Sequence, residues 1–160
     1  MNKILTIQEA IKISKDLHKT KKQIVLTGGC FDLLHIGHLT FLEKAKRRGD
    51  ILLVLLESDE NITKAKGLDR PINTQSDRAK ILSALEIVDY IIKLKSFQKN
   101  EDYDDLIIRL RPAIIATTKG DANRLHKERQ AKLIKGRVID VTIPIKNKST
   151  TKLISLLKDF

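Results

Sequence analysis

Tryptophan is absent from this 160-residue chain, and aromatic residues of every kind make up only 4% of it. Proteins that bind single-stranded nucleic acid usually stack bases on aromatic platforms, so the composition argues against nucleic acid as a partner. Cysteine is almost missing as well. Cys30 stands alone, which excludes an internal disulfide framework and suits a reducing compartment. No run of apolar residues approaches the length of a membrane span. The opening "MNKILTIQEAIKIS" looks superficially like a secretory leader, but Glu9 and Asp16 interrupt it and no continuous apolar stretch follows. The chain reads as cytoplasmic, with no membrane partner. Also missing are a P-loop, a Gly-x-Gly-x-x-Gly fingerprint, any visible Ser-His-Asp or Cys-His pairing, internal repeats and linkers.

What is abundant is charge. Charged residues make up 32% and the formal net charge is +11, beside an ordinary 41% of hydrophobic residues. These values describe a globular chain of single-domain length, residues 1–160, with an anionic partner favoured. Phosphorylated small molecules, nucleic acid and acidic membranes all have that character. No dense basic run occurs, so lysines spread over solvated faces account for the charge equally well.

Short apolar runs alternate with helical periodicity. "ILTIQEAIKISKDLHK" spaces Ile4, Ile7, Ile11 and Leu17 for a helix over about residues 5–19, with Thr6 as cap and Glu9 three residues later. "QIVLT" reads as a strand ending in Gly28-Gly29, and "HLTFLEKAKRR" as a helix from His38. "DILLVLLES", "VDYIIKL", "AIIATT" and "RVIDVTIP" read as further strands. Between them, "TQSDRAKILSALE", "EDYDDLIIRLR" and "DANRLHKERQAKLIKG" read as helices, and "STTKLISLLKDF" as a terminal helix capped by Ser149 or Thr150. The pattern predicts a Rossmann-like, doubly wound α/β sheet of about five parallel strands with helices on both faces. Ligands in such sheets bind beyond the carboxyl ends of the strands, and the unusual residues fall there: 28–38, 57–66, 117–121 and 146–151.

In "GGCFDLLHIGH" the glycines allow a sharp turn and close approach of backbone N–H groups. Gly37 leaves the positive mouth of a helix open to phosphate, with His35 and His38 flanking it as hydrogen-bond donors. In a displacement at phosphorus they would stabilise charge on the transferred group and the leaving pyrophosphate. Two other readings compete. Cys30, His35 and His38, with His126 as a fourth, could ligate zinc, although no Cys-x-x-Cys partner exists. Alternatively, the histidines merely cap a helix. Further along, Lys64 and Lys66 lie in what reads as a Gly- and Pro-bounded loop; Lys66 could close over a triphosphate, whereas Lys64 reads as a solvated surface lysine. Asp121, in "TTKGD", either holds a ribose hydroxyl or caps the next helix. Ser149, Thr150 and Thr151 offer another helix start suited to phosphate, or simply a cap. Arg78 is, on spacing alone, an ordinary surface charge.

"GCFDLLHIGHLTFLEKAKRRGD" resembles the His-x-Gly-His nucleotidylyltransferases, the cytidylyltransferase-like family, and the resemblance extends over essentially the whole chain. "GLDRPINTQSDRAKILSALEIVDYII", the leading "LTIQEAIKI", the Lys-Gly-Asp turn and the closing Ser-Thr-Thr are similar to the adenylyltransferase domain of ADP-heptose synthases, which act on D-glycero-β-D-manno-heptose 1-phosphate. Glycerol-3-phosphate cytidylyltransferases share "FDLLH", "VD" and "STTK" and are the alternative branch. Class I aminoacyl-tRNA synthetases share part of the histidine motif, but this chain is too short for their tRNA-binding parts. A regulator that binds nucleotide or RNA without activity is a further alternative, opposed by the intact histidines and Ser-Thr-Thr.

The resemblance implies a Mg²⁺-dependent reaction of an NTP with a phosphorylated acceptor, releasing pyrophosphate, in a protein whose relatives are often homodimers. It implies catalytic roles for His35, His38 and Lys66. Nucleotide contacts would come from Gly29, Cys30, Phe31, Gly37, Lys119, Gly120, Asp121, Ser149, Thr150 and Thr151. Acceptor contacts would come from Asp32, Asp59, Arg78 and Lys95. Two stretches depart from the heptose branch. Leu56-Glu57-Ser58-Asp59 stands where that branch reads Val-Asn-Ser-Asp, and Thr117-Thr118-Lys119-Gly120-Asp121-Ala122 where it reads Val-Lys-Gly-Gly-Asp-Tyr.

Overall fold

The computed structural model describes residues 2–145 and 149–157. In chain order the elements are β1 (Ile4–Leu5), α1 (Ile7–Lys19), β2 (Ile24–Gly29), α2 (Ile36–Lys46), β3 (Ile51–Leu56), α3 (Asp59–Lys66) and α4 (Gln75–Ser83). They continue with β4 (Tyr90–Lys93), α5 (Asn100–Leu110), β5 (Ile114–Thr118), α6 (Arg124–Leu133), β6 (Arg137–Thr142) and α7 (Thr150–Leu157). The strands form one parallel sheet in the order β1-β4-β3-β2-β5-β6.

Continuous apolar strands demand cover on both faces, and the helices supply it. On one face Leu26, Leu53, Leu55, Ile92 and Ile115 pack with Ile11 of α1, Leu106 and Leu110 of α5 and Ala131 of α6. On the other, Val25, Leu52, Val54, Leu56 and Ile91 pack with Leu42 and Ala45 of α2 and Ala79 and Leu82 of α4. The chain steps outward from β2 through β3 to β4, then crosses back to place β5 on the other side of β2. The switch in strand order therefore lies between β2 and β5, where this architecture leaves a crevice at the carboxyl ends.

Three local expectations differ from the structure. The sheet has six strands, because Ile4 and Leu5 pair with Ile91 and Ile92 at its edge. Their spacing also fits the helix that follows, but the helix begins only at Ile7. There Thr6 Oγ1 accepts from the Glu9 amide at 3.3 Å, and a Glu9 carboxylate oxygen accepts from the Thr6 amide at 2.7 Å. The stretch carrying Lys64 and Lys66 is helix α3, not a loop. Ser58 caps its start, accepting from the Asn61 amide, and Gly67 ends it at φ 99°, a conformation that favours glycine. Helix α2 begins at Ile36, two residues before the expected start at His38. The expected terminal helix is described as far as Leu157; residues 158–160, like 146–148 of the last polar cluster, lie outside the described residues.

Candidate active site

The tip of β2 is built by tight packing. A Cβ on Gly29 would lie 2.9 Å from the ring of Phe31, so only glycine lets this ring fold back beneath the strand end. Phe31 is buried in the left-handed region at φ 46°, and its ring centroid is 5.4 Å from that of His38. Both histidines serve the start of α2. The Gly37 amide donates to His35 Nδ1 at 3.1 Å, and the His35 amide donates to His38 Nδ1 at 3.4 Å. The structure thus gives both residues a capping role. Because each Nδ1 accepts a backbone proton, the ring proton of each histidine resides on Nε2. The rings lie 3.9 Å apart, centroid to centroid, tilted by 31°. Burial, aided by the nearby His35 and the positive charge of Lys66, pushes the His38 imidazole down to about 4. His38 is therefore neutral at pH 7 and acts as an N–H donor.

Beyond the strand ends lies a cavity of about 580 Å³. Its floor is apolar, with Leu26, Leu55, Leu94, Ile107 and Ile115, and its polar wall includes Cys30, Glu57, Lys66 and Tyr103. Lys66 closes α3 at this wall, whereas Lys64 turns away to donate to Gln98 at 2.8 Å. Asp121 also lines the cavity. Its carboxylate accepts from Thr117 Oγ1 at 2.6 Å, from Lys127 Nζ at 2.5 Å and from the Asn123 amide at 2.7 Å. Burial opposes ionisation there, but the hydrogen bonds from Lys127, Thr117 and the Asn123 amide outweigh it and hold the carboxyl below its ordinary range. Asp121 is not itself the cap of α6, a position held by Asn123; its carboxylate braces the turn before that helix. Lys119 and Gly120 are exposed on the same turn, with the Lys119 amide tied to the Thr142 carbonyl at 2.8 Å and Gly120 at φ 81°.

The start of α7 joins the histidine loop directly. Thr150, buried, donates to the Leu33 carbonyl at 3.2 Å, and Ser149 Oγ accepts from the Lys152 amide at 3.1 Å. Thr151 is exposed. The start of α7 thus sits beside the turn that carries His35.

Several acceptor-facing expectations require correction. Arg78 is not a surface charge: its side chain is 0% exposed. It donates to the carbonyls of Asn73 at 3.1 Å, Cys30 at 2.5 Å and Glu57 at 2.9 Å, and to Asp59 Oδ1 at 2.6 Å. That makes it a strut binding the ends of β2 and β3 together, out of an acceptor's reach. Asp59, half-exposed, takes that bond and one from the Gln75 amide at 3.0 Å. Asp32 is buried too. Its oxygens accept from Arg70 Nε at 2.8 Å, from the Ile72 amide at 2.9 Å and from the Asn73 amide at 2.9 Å. Burial would raise the Asp32 carboxyl, but the amides of Asn73 and Ile72 and the Arg70 guanidinium prevail and lower it. Its oxygens are thus committed to holding the loop before α4. Lys95 lines a different cavity of about 410 Å³ at the β1 edge, with Thr6 and Glu9, and is not gathered with the other candidates.

Among the described residues no three His, Cys, Asp or Glu side chains converge as a metal set would, so Cys30, His35, His38 and His126 do not form the zinc centre considered above. Residues overlooked in the sequence include Asn61, Tyr103 and Lys127, all of which line the larger cavity. Each sits on a helix, where periodicity alone hides which face meets the site. Among the described residues no helix is long and apolar enough to cross a membrane.

Comparison with known proteins agrees with this geometry. The family model described as Cytidylyltransferase-like matches residues 26–155. The bifunctional protein HldE of Nitratiruptor sp. is 41% identical over 156 residues, covering 97% of this chain and 32% of that protein. Its counterpart from Campylobacter fetus is 37% identical over 158 residues, covering 98% and 31%. The chain thus spans about a third of the length of these curated relatives. Among solved structures, a lipopolysaccharide core biosynthesis protein from Thermoplasma volcanium superposes with a TM-score of 0.61 at 22% identity, covering 80% of this chain and 99% of that one. Pantoate-beta-alanine ligase from Francisella tularensis gives 0.60 at 17% identity, covering 97% and 76%. At such identities the two structures speak for the fold alone.

Proposed function

The chain belongs to the cytidylyltransferase-like family and is a nucleotidyltransferase, and from that premise we propose that it transfers AMP from ATP to a sugar 1-phosphate such as heptose 1-phosphate. The observation that carries the reading is the stacked pair His35 and His38 at the mouth of α2, each with its proton on Nε2, beside Lys66. The match to the HldE proteins along nearly the whole chain supports the heptose branch.

An oxygen of the acceptor phosphate attacks the α-phosphorus of the nucleotide. The bond to the bridging oxygen breaks, and pyrophosphate leaves with the electron pair. No protein nucleophile is needed, so the protein acts by positioning and by stabilising charge. The Nε2–H groups of His35 and His38 face developing negative charge, His38 as a neutral donor, and being preorganised they need no rearrangement as the charge grows. Lys66 supplies positive charge for the departing pyrophosphate. The start of α7 adds further anion-binding capacity. Mg²⁺ would arrive as a companion of the triphosphate, because it typically keeps waters and phosphate oxygens as ligands. When bound, it neutralises charge on the phosphates.

A pyrophosphate-release screen crossing four NTPs with sugar and polyol phosphates tests the proposal. ATP with heptose 1-phosphate is the expected pair. A clear preference for CTP with glycerol 3-phosphate would overturn the heptose assignment and leave the reaction class standing.

A further inference from the structure

Building on the nucleotidyl-transfer reading, we infer that Glu57, held in place by Tyr103 and Asn61, reads the hydroxyl groups of the acceptor, so that the cavity selects polyhydroxylated phosphates. Glu57 stands at the carboxyl end of β3 and lines the larger cavity, whose floor is otherwise aliphatic. Oε1 accepts from the Ser58 amide at 2.9 Å and from Asn61 Nδ2 at 3.1 Å, and Oε2 accepts from the Tyr103 hydroxyl at 2.8 Å. A carboxylate offers about four acceptor positions. Three are met by these bonds, and Oε2 retains capacity for a donor arriving from the cavity.

The network holds this carboxylate still. Tyr103 spends its only proton on Glu57, while its oxygen accepts from Asn61 Nδ2 at 3.2 Å. Asn61 is anchored in turn, its two amide protons shared among Glu57, Tyr103 and the Phe97 carbonyl at 3.0 Å, and its oxygen accepting from Ser96 Oγ at 3.1 Å. Phe97 packs edge-on against the Tyr103 ring at 5.0 Å. Burial and the Glu57 carboxylate both push the Tyr103 phenol upward, so it remains a donor at any working pH.

The chemistry of the ligand follows from this arrangement. An ionised carboxylate accepts hydrogen bonds and repels phosphate, so the donor it awaits is a hydroxyl or an ammonium group. Among the lining residues Lys66 and Lys127, the latter paired with Asp121, already balance the two carboxylates, which leaves a neutral hydroxyl as the favoured donor. The phosphate of the acceptor, repelled by this carboxylate, lies at the end of the ligand away from Glu57.

Calorimetric titration of heptose 1-phosphate and of inorganic phosphate into the wild type, Glu57→Gln and Tyr103→Phe tests the inference. The wild type should bind the sugar phosphate, and Glu57→Gln, which keeps the shape, should bind it roughly tenfold or more weakly, as loss of a charge-assisted hydrogen bond does. Tyr103→Phe, acting through the position of Glu57, should lose roughly threefold. Inorganic phosphate should bind all three proteins alike. Equal binding of heptose 1-phosphate by wild type and Glu57→Gln overturns the inference. So does its failure to bind the wild type, or a parallel loss of inorganic phosphate, which would mark a collapsed cavity. Glu57-dependent binding without nucleotidyl transfer would count against the reaction and leave this assignment intact.

Discussion

Replacing Arg78 with methionine removes four hydrogen bonds at one stroke while keeping much of the buried volume. The carbonyl oxygens of Asn73, Cys30 and Glu57 lose their donor, and Asp59 loses its cation. Each of these part-buried carbonyls left without a partner costs up to about 1–3 kcal/mol. Asp59 contributes less, because its side chain is 42% exposed and water takes over the lost bond. Relaxation shares these losses, so the expected destabilisation is about 3–5 kcal/mol, the lower part of what three unpartnered carbonyls would sum to. For a chain of this size that lowers the melting temperature by roughly 10 °C. Arg78→Lys should recover only part of the loss, since one ammonium cannot reproduce a planar fork that reaches four acceptors. Urea unfolding at pH 7, alongside thermal melting, measures both variants. A loss below about 1 kcal/mol, combined with a selective defect in acceptor binding, would refute the strut and restore Arg78 as an acceptor contact.

The His38 imidazole should titrate at about 4 when followed by NMR; a value near 6.5 would contradict its burial beside His35 and Lys66. The sign follows from linkage: the unfolded chain takes up this proton below pH 6.5 while the folded one resists until about 4. The folded state therefore loses stability as pH falls through that window, by roughly 1 kcal/mol at pH 5 once solvent screening is allowed for, and His38→Gln should abolish this component. Asp32→Asn should cost about 3 kcal/mol by breaking the buried pair with Arg70. In the wild type the Asp32 contribution is present above the unfolded carboxyl value and is lost as acid titrates the lowered folded one; acid-unfolding curves that coincide for the two proteins would disprove it. Gly29→Ala should drive a methyl into the Phe31 ring at 2.9 Å, costing about 1–3 kcal/mol and displacing His38, and a variant with unchanged melting and turnover would argue against the packed turn.

The sequence made the sheet interior legible because β2, β3 and β5 are short apolar runs bounded by turn residues. It also placed His35 and His38 at a strand-to-helix turn, since Gly28-Gly29 and the following helical periodicity are both local signals. What it concealed depends on contacts across the chain. Arg78 gives no local hint of burial, because its partners Cys30 and Glu57 lie 48 and 21 residues away. Asp32 is claimed by amides 40 and 41 residues onward, a commitment no spacing can reveal. Helix α3 has a single buried apolar residue, Ile62, so it shows no periodicity, and its caps at Ser58 and Gly67 were the only available sign. The two-residue strand β1 was masked because Ile4 continues the helical spacing of α1.

The central claim is that the paired histidines at the mouth of α2 carry a transfer at the α-phosphorus. Its most direct test follows label from ATP carrying radioactive α-phosphorus, with heptose 1-phosphate as acceptor, in the wild type, His35→Ala and His38→Ala. The account predicts label in the sugar nucleotide, unlabelled pyrophosphate in equal amount, and turnover lowered roughly a hundredfold or more in each variant, with folding retained by circular dichroism. Undiminished transfer in either folded variant, or label appearing in the released phosphate product, would contradict it.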